Sequence, residues 1–324
     1  MKKYAFINIP SQELERPPAA AALLGSIIKS IGWDCRVFDF NLFLNDTVTK
    51  EAWSELEDYW RCKIEILSPD SETQLQDSFN KFMQQLDDYA PQWIGLSVFS
   101  RFSTVSCYEI LKFIRPRTNA KIMIGGHGIS AWPGSLPNID QNTKYDTIAD
   151  FLLNENFIDH YITGDGEDSI KELLLGNKYP GIDGLPPIQV KDLDSLPVPS
   201  YTEIEPIRYY YTDEPGVYMT MSKGCVRRCT FCAIPDIWPK FTIRRADLLV
   251  DEIRKNKLEY QVNLTHFTDS LINGSMKHFR ELNKALAELK QDDRFKPIKY
   301  MGQFICRTKQ EQTEQDWELM HKGG

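Results

Sequence analysis

Residues 159–175, DHYITGDGEDSIKELLL, contain one complete strand, glycine turn and helix. The same order recurs before this stretch. Strand-like apolar runs are KYAFINIP (3–10), CRVFDF (35–40), WIGLSVFS (93–100) and KIMIGG (121–126), and helical stretches include PPAAAALLGSIIKSIGW (17–33) and VSCYEILKFIRP (105–116). Strands that alternate with helices form parallel sheets, because each crossover helix returns the chain to the same edge. The sequence therefore predicts an α/β fold with a doubly wound parallel sheet in the N-terminal half.

Length and composition limit the class of protein. The 324 residues are enough for about two domains. The net charge of −8 argues against binding of nucleic acid or anionic membranes through bulk charge. The N-terminus, MKKYAFINIP, lacks the apolar core of a signal peptide, and the longest apolar stretch is far shorter than the roughly 18 residues of a membrane helix. We expect a cytoplasmic protein.

A proline-rich segment interrupts the alternation and predicts a domain boundary. The predicted organisation is a first domain at 1–178, a connector at 179–216 and a second domain at 217–324. Strands are predicted at VYMTMS (217–222), VNLTHFTDS (262–270) and KYMGQFICR (299–307), and helices at RADLLVDEIRKN (245–256), SMKHFRELNKALAELK (275–290) and TEQDWELMHKGG (313–324). These are three further βα units.

The segment KGCVRRCTFC (223–232) carries three of the seven cysteines in the pattern Cys-x3-Cys-x2-Cys, directly after a predicted strand. The three are Cys225, Cys229 and Cys232. Three thiolates can converge on one metal only if the backbone turns tightly, which Gly224 permits. A cubane iron–sulfur cluster normally takes four cysteines, so three leave one iron with an open coordination position. The same thiols also fit part of a zinc site, with Cys306 or His266 as the fourth ligand.

The motif resembles the cluster-binding motif of the radical S-adenosylmethionine (SAM) enzymes, Cys-x3-Cys-x-aromatic-Cys, with Phe231 at the aromatic position. The resemblance implies that the three cysteines hold a [4Fe–4S] cluster and that SAM chelates the open iron. It also implies reductive cleavage of SAM to a 5′-deoxyadenosyl radical, with Phe231 near the adenine. Electrons for such a reaction come from a donor such as a flavodoxin or ferredoxin.

Two further segments carry weaker resemblances to the same family. FTDSLING (267–274) is similar to the segment that approaches the SAM amino group, which makes Asp269 and Asn273 candidate cofactor-binding residues; a helix N-cap or a solvated loop is the alternative. Arg307 is predicted to end the third strand, at the face where barrel active sites lie. A surface arginine is the alternative for that residue.

The N-terminal half resembles the Rossmann-like cobalamin-binding domain found in one subgroup of the family. GLSVFS (95–100) and IGGHG (124–128) lie where that fold places a serine after one strand and paired glycines after the next. The implied cobalamin contacts are Ser97, Gly125, Gly126 and His127. The Asp-x-His-x-x-Gly signature that supplies a cobalt ligand in many cobalamin proteins is absent, so a domain that kept the shape without the ligand is the alternative.

The resemblance implies methyl transfer as the reaction, with a radical rearrangement as the second expectation and no substrate specified. The methylthiotransferase subgroup is not favoured, because no cysteine motif follows the first strand. Only three of the usual six βα units are present, which predicts a partial radical SAM (β/α) barrel. Either the chain is truncated, or a second chain or a dimer partner completes the barrel. A non-catalytic cofactor-binding fragment or a zinc-stabilised module is the competing interpretation.

Overall fold

The computed structural model describes residues 1–10, 14–136, 139–209 and 214–324. These divide into two units by their internal contacts. The first unit comprises Met1–Glu13 and Ala20–Ile188, and the second comprises Leu14–Ala19 and Gln189–Gly324. The predicted connector is thus divided between the units at residue 188, and the predicted domain limits stay a prediction.

The first unit contains five parallel strands flanked by helices. The strands are β1 (Lys3–Asn8), β2 (Asp34–Asp39), β3 (Trp93–Ser97), β4 (Lys121–Gly125) and β5 (His160–Ile162). Their order in the sheet is β2-β1-β3-β4-β5, and every pairing is parallel. This is one of the common doubly wound orders, with a topological switch point between β1 and β3. The predicted doubly wound parallel sheet is confirmed.

The helices of this unit bury an apolar and aromatic core against the sheet. They are α1 (Ala19–Ser30), α2 (Phe40–Thr47), α3 (Lys50–Trp60), α4 (Pro69–Tyr89), α5 (Thr104–Ile114), α6 (Ile148–Asn154) and α7 (Gly166–Leu175). Helix α4 starts at a proline and is capped by Ser68, whose side chain accepts the amide of Ser71. Within the core, the ring of Phe40 lies 5.1 Å from that of Phe79 and 4.6 Å from that of Phe82, between ring centroids.

The second unit contains three βα units and a short antiparallel pair of strands. Its elements are β6 (Gly216–Met219), β7 (Ser222–Lys223), α8 (Ile234–Ile237), β8 (Thr242–Ile243), α9 (Ala246–Tyr260), β9 (Leu264–Phe267), α10 (Met276–Leu289), β10 (Lys299–Met301) and α11 (Glu314–Gly323). Strands β6, β9 and β10 are parallel, with β9 in the centre. The three predicted βα units are therefore present.

The two faces of this three-stranded sheet differ. On one face Met219 contacts Asn256 of α9, and the Tyr300 hydroxyl donates to Asn283 of α10 at 2.7 Å. On the other face a row of side chains crosses the three strands in register: Tyr218 and His266, which are half-buried, and Met301, which is exposed. Within the described residues, no helix is both long and apolar enough to cross a membrane.

Candidate functional site

The cysteine motif lies on a loop whose two ends are joined by the β7–β8 pair. Ser222 pairs with Ile243, and Lys223 pairs with Thr242, in antiparallel register. The predicted strand 217–222 is therefore two elements, because β6 ends at Met219 and the chain turns before β7. The loop leaves the sheet at the carboxyl end of β6, where the ligands of parallel α/β sheets bind.

The three thiols of this loop are reduced and accessible. Cys225 and Cys232 are half-buried and Cys229 is exposed. The amide of Arg227 donates to Cys225 Sγ at 3.4 Å, and the amide of Cys232 donates to the Cys229 carbonyl at 3.0 Å. Across the described residues, no three His, Cys, Asp or Glu side chains stand close enough together to hold a metal ion. The fit to a metal therefore rests on the donor chemistry of the loop.

Gly224 makes the turn that starts the loop. Its φ is +83°, and a Cβ at this position would lie 2.5 Å from the Lys240 carbonyl oxygen. A side chain is thus excluded both by conformation and by close approach of the returning strand. Further along, Phe231 is 90% exposed, so its ring is open to contact with a bound molecule.

Asp269 is buried beneath the start of this loop. It lies two residues after β9, and its carboxylate accepts the amides of Met221, at 3.0 Å, and of Ser222. Burial raises the pKa of Asp269 to about 6, although hydrogen bonds from residues 221 and 222 lower it. The side chain is neither a solvated loop residue nor the cap of α10, since Ser275 caps that helix.

Asn273 and Arg307 hold the neighbouring loops together. The Asn273 side chain donates to the Ile305 carbonyl at 2.9 Å and accepts the Ile305 amide at 3.2 Å. The Arg307 guanidinium donates to the carbonyls of Asn273, at 2.7 Å, and of Gly274, at 3.0 Å. Arg307 does not end a strand, because β10 stops at Met301; the chain beyond it instead pairs with residues 272–274.

In the first unit, the other candidates lie at the carboxyl ends of β3 and β4. Ser97 is in register with Gly125 on one side and with Asn8 on the other. Gly126 has φ +108°, and a Cβ there would lie 2.5 Å from the Val98 carbonyl oxygen. The missing side chain of Gly126 thus leaves room for the adjacent loop of the protein itself. His127 begins a short 3-10 turn.

Two features of these edges were not anticipated. Asn8 is buried at the end of β1, beside the switch point, and its Oδ1 has no hydrogen-bond partner among the residues that the structure describes. The signal available in the sequence was a polar residue at the end of an otherwise mainly apolar strand. Arg244 and Glu252 form a buried ion pair of 2.7 Å beside the foot of the cysteine loop. No sequence pattern predicted this ion pair, because a helix start rich in charge is normally solvated.

No family model matches the chain. It is 26% identical over 244 residues to cytidylyl-2-hydroxyethylphosphonate methyltransferase of Streptomyces wedmorensis, a match that covers 65% of this chain and 46% of the relative. It is 38% identical over 71 residues to the ribosomal protein uS12 methylthiotransferase RimO of Francisella philomiragia, covering 22% of this chain and 15% of the relative. The chain thus spans less than half the length of these relatives.

The fold is also that of a solved protein, the radical S-adenosylmethionine methyltransferase TsrM of Kitasatospora setae. With tryptophan substrate and a SAM analog bound, that structure matches with a TM-score of 0.67 at 19% identity, over 100% of this chain and 58% of TsrM. A second TsrM structure, with cobalamin and a [4Fe-4S] cluster bound, matches with a TM-score of 0.63.

The doubly wound sheet, the parallel βα sheet and the cysteine loop after its first strand together define a two-unit α/β protein with the fold seen in TsrM. The chain is similar in sequence to a methyltransferase and to a methylthiotransferase, and it has the fold of a radical SAM methyltransferase whose structure was solved with cobalamin and a [4Fe-4S] cluster bound. The resemblance to radical SAM proteins that the cysteine motif indicated is therefore confirmed.

Proposed function

We propose that this chain binds a [4Fe–4S] cluster through Cys225, Cys229 and Cys232, binds SAM at the open iron, and serves cobalamin-dependent methyl transfer. The observation that carries the proposal is the cysteine loop itself, which has three reduced thiols at the carboxyl end of the first strand of a parallel βα sheet. The names of the relatives support a methyl or methylthio group as the group transferred.

The residues of the loop have distinct roles in this proposal. The three thiolates supply the cluster ligands, and the amide of Arg227 donates a hydrogen bond to Cys225 Sγ. The exposed ring of Phe231 packs against the adenine of SAM. When bound, the cluster supplies the electron that cleaves SAM reductively. Asp269, Asn273 and Arg307 were predicted to contact SAM; their polar atoms hydrogen bond to main chain, so any such contact would use only their remaining surface.

Cobalamin is proposed to bind at the carboxyl edge of the first unit. The switch point between β1 and β3 lies there, with Ser97 and the buried, unpartnered Oδ1 of Asn8 beside it. A buried amide oxygen without a partner is unfavourable by itself, and a ligand that donates a hydrogen bond would satisfy it. Gly125, Gly126 and His127 follow on the adjacent strand and loop.

The proposed methyl transfer also needs a one-electron donor, for which a flavodoxin or ferredoxin is the expected class. It needs a substrate as well, to which we assign no structure.

Metal content and product formation test this function together. The chain is reconstituted anaerobically with iron and sulfide, and iron, sulfide and zinc are counted per chain. We expect about four irons with matching sulfide. After addition of SAM and a strong reductant, 5′-deoxyadenosine is measured by mass spectrometry. The Cys229→Ala variant should lose both signals, and Cys62→Ala, an exposed cysteine outside the loop, should keep them.

Each part of the proposal can fail separately. One zinc per chain and no sulfide would establish the zinc-stabilised module instead. A full cluster that yields no 5′-deoxyadenosine with SAM would mark a cofactor-binding fragment without activity of its own. Failure to retain cobalamin after reconstitution would remove the role of the first unit while leaving the cluster site intact.

A further inference from the structure

The carboxyl ends of β6 and β9 are joined by the Asp269 carboxylate. Its two oxygens each accept one main-chain amide: Oδ2 from Met221, at 3.0 Å, and Oδ1 from Ser222. Asp269 is 2% exposed, so these bonds are shielded from water. Charge-assisted hydrogen bonds to a buried carboxylate are stronger than those between neutral groups. One side chain therefore fixes two successive peptide groups at the point where the chain leaves the sheet.

Met221 is held on its other side as well. Its carbonyl accepts the amide of Arg244 at 2.8 Å, so both its N–H and its C=O have buried partners. Arg244 follows β8, which forms the returning end of the cysteine loop. The outgoing and returning ends of the loop are thus joined at Met221 in addition to the β7–β8 pair.

The returning end is anchored to α9 in turn. The Arg244 guanidinium donates to Glu252 at 2.7 Å, with side-chain exposures of 8% and 1%. The connection runs from Asp269 through the main chain of Met221 to Arg244 and Glu252. Because all four residues are buried, water cannot replace a hydrogen bond that is lost at Asp269. We therefore expect the loss of such a bond to alter the position of the loop.

We propose that Asp269 is a positioning residue of the cysteine loop, which fixes the direction in which residues 224–232 leave the sheet and does not itself bind SAM. The inference rests on the proposed cluster site. It differs from the role predicted for Asp269 by resemblance, because both carboxylate oxygens already accept main-chain amides. The side chain is also only 2% exposed, so almost none of its surface is accessible to the amino group of SAM.

The test uses Asp269→Asn, which keeps the shape but replaces one acceptor by an NH₂ group that faces a buried N–H. The matched control is Asp251→Asn, on the exposed side of α9. The rate of iron loss from the reconstituted chain to a chelator is measured together with the affinity for SAM and the electron paramagnetic resonance spectrum of the reduced cluster. We expect roughly tenfold faster iron loss and an altered spectrum for Asp269→Asn. The affinity of the remaining loaded protein for SAM should be unchanged, and Asp251→Asn should behave as the native chain.

Two results would overturn the inference. The first is wild-type iron retention combined with weakened SAM binding, which would make Asp269 a SAM ligand. The second comes from hydrogen exchange in the native chain, where the amides of Met221 and Ser222 should be protected. Rapid exchange of both amides would exclude their hydrogen bonds to Asp269, even if the variant fails to fold. If the native chain takes up no iron, the proposed function fails, and the exchange measurement still decides whether Asp269 holds these amides.

Discussion

The two units bury different kinds of side chain. The first packs one continuous apolar core that reaches from Ala5 to Tyr161 along the sequence, and among its described residues Glu167 is the one buried charged side chain. The second unit is smaller, yet the part of it that the structure describes buries five charged side chains. These are Arg16, Arg244, Glu252, Asp269 and Asp316.

The two kinds of buried side chain have different effects: apolar burial mainly stabilises the fold, whereas buried charges mainly restrict the conformation of the chain around them. Apolar burial stabilises a fold by about 25 cal/mol for each Å² removed from water. Buried charges lose hydration, so a buried ion pair often contributes little net stability although it restricts conformation. In the second unit, burial raises the pKa of Glu252, although the Arg244 guanidinium lowers it. Asp269 binds the start of the cysteine loop, and Glu252 binds Arg244 at its end. We interpret these buried charges as a means of fixing the position of the loop.

The largest effect is expected from the core of the first unit. Phe40 is fully buried between Phe79 and Phe82, so Phe40→Ala should lower the free energy of unfolding by about 4 kcal/mol. Urea denaturation of the full chain, followed by tryptophan fluorescence, measures this loss. Phe99→Ala is the control: its side chain is 68% exposed, and the change should be within about 0.5 kcal/mol. A loss at Phe40 no greater than at Phe99 would contradict the apolar half of the comparison.

The buried pair of the second unit should show the opposite logic. Arg244→Met leaves Glu252 buried without its partner and should cost about 3 kcal/mol in unfolding free energy. The double variant Arg244→Met with Glu252→Leu removes both charges, and should recover most of that loss. The coupling energy between the two residues follows from the unfolding free energies of four proteins, namely the native chain, Arg244→Met, Glu252→Leu and the double variant.

A double variant as unstable as Arg244→Met alone would mean that the pair itself supplies stability. The two units would then differ in composition but not in how they are held together. Iron loss from the reconstituted double variant adds a second reading. Recovered stability with faster iron loss would assign the pair to loop geometry.

The sequence predicted the alternation of strands and helices well, because each element carries its own periodicity. It could not predict the ends of the strands in the second unit. KYMGQFICR has the composition of a strand, yet β10 stops at Met301 because the Asn273 side chain and the Ile272 amide take over the pairing of residues 303–305. That competition comes from residues some thirty positions away, which no local pattern records.

The candidate site shows the same limit. The cysteine spacing indicated the loop and the need for a turn at Gly224, since both are local properties. The partners of Asp269 were not accessible in this way, because a lone aspartate after a strand is equally compatible with a cap, a solvated loop or a ligand. Similarly, the paired glycines suggested Gly126 as a cobalamin contact, and no local pattern indicated that the Val98 main chain also approaches this residue closely.

The smallest of these effects is expected at Asp316, where a charge is buried with ideal partners. Its carboxylate accepts Arg280 Nε at 2.6 Å and Nη2 at 2.9 Å, and also the Thr313 amide at 2.8 Å. The Arg280 bonds lower the pKa of Asp316 from 3.8 to about 2, with a further contribution from Thr313 and against the effect of burial. Because the folded pKa lies below the unfolded one, this stabilisation is complete above about pH 5 and is lost as the pH falls towards 2.

Asp316→Asn should therefore lower the free energy of unfolding by about 2 kcal/mol at pH 7 and by roughly half of that at pH 3, measured by urea denaturation. Asp293→Asn, at an exposed carboxylate, should change little at either pH. An Asp316→Asn loss that is equal at pH 7 and pH 3 would show that shape, and not charge, stabilises this end of the second unit.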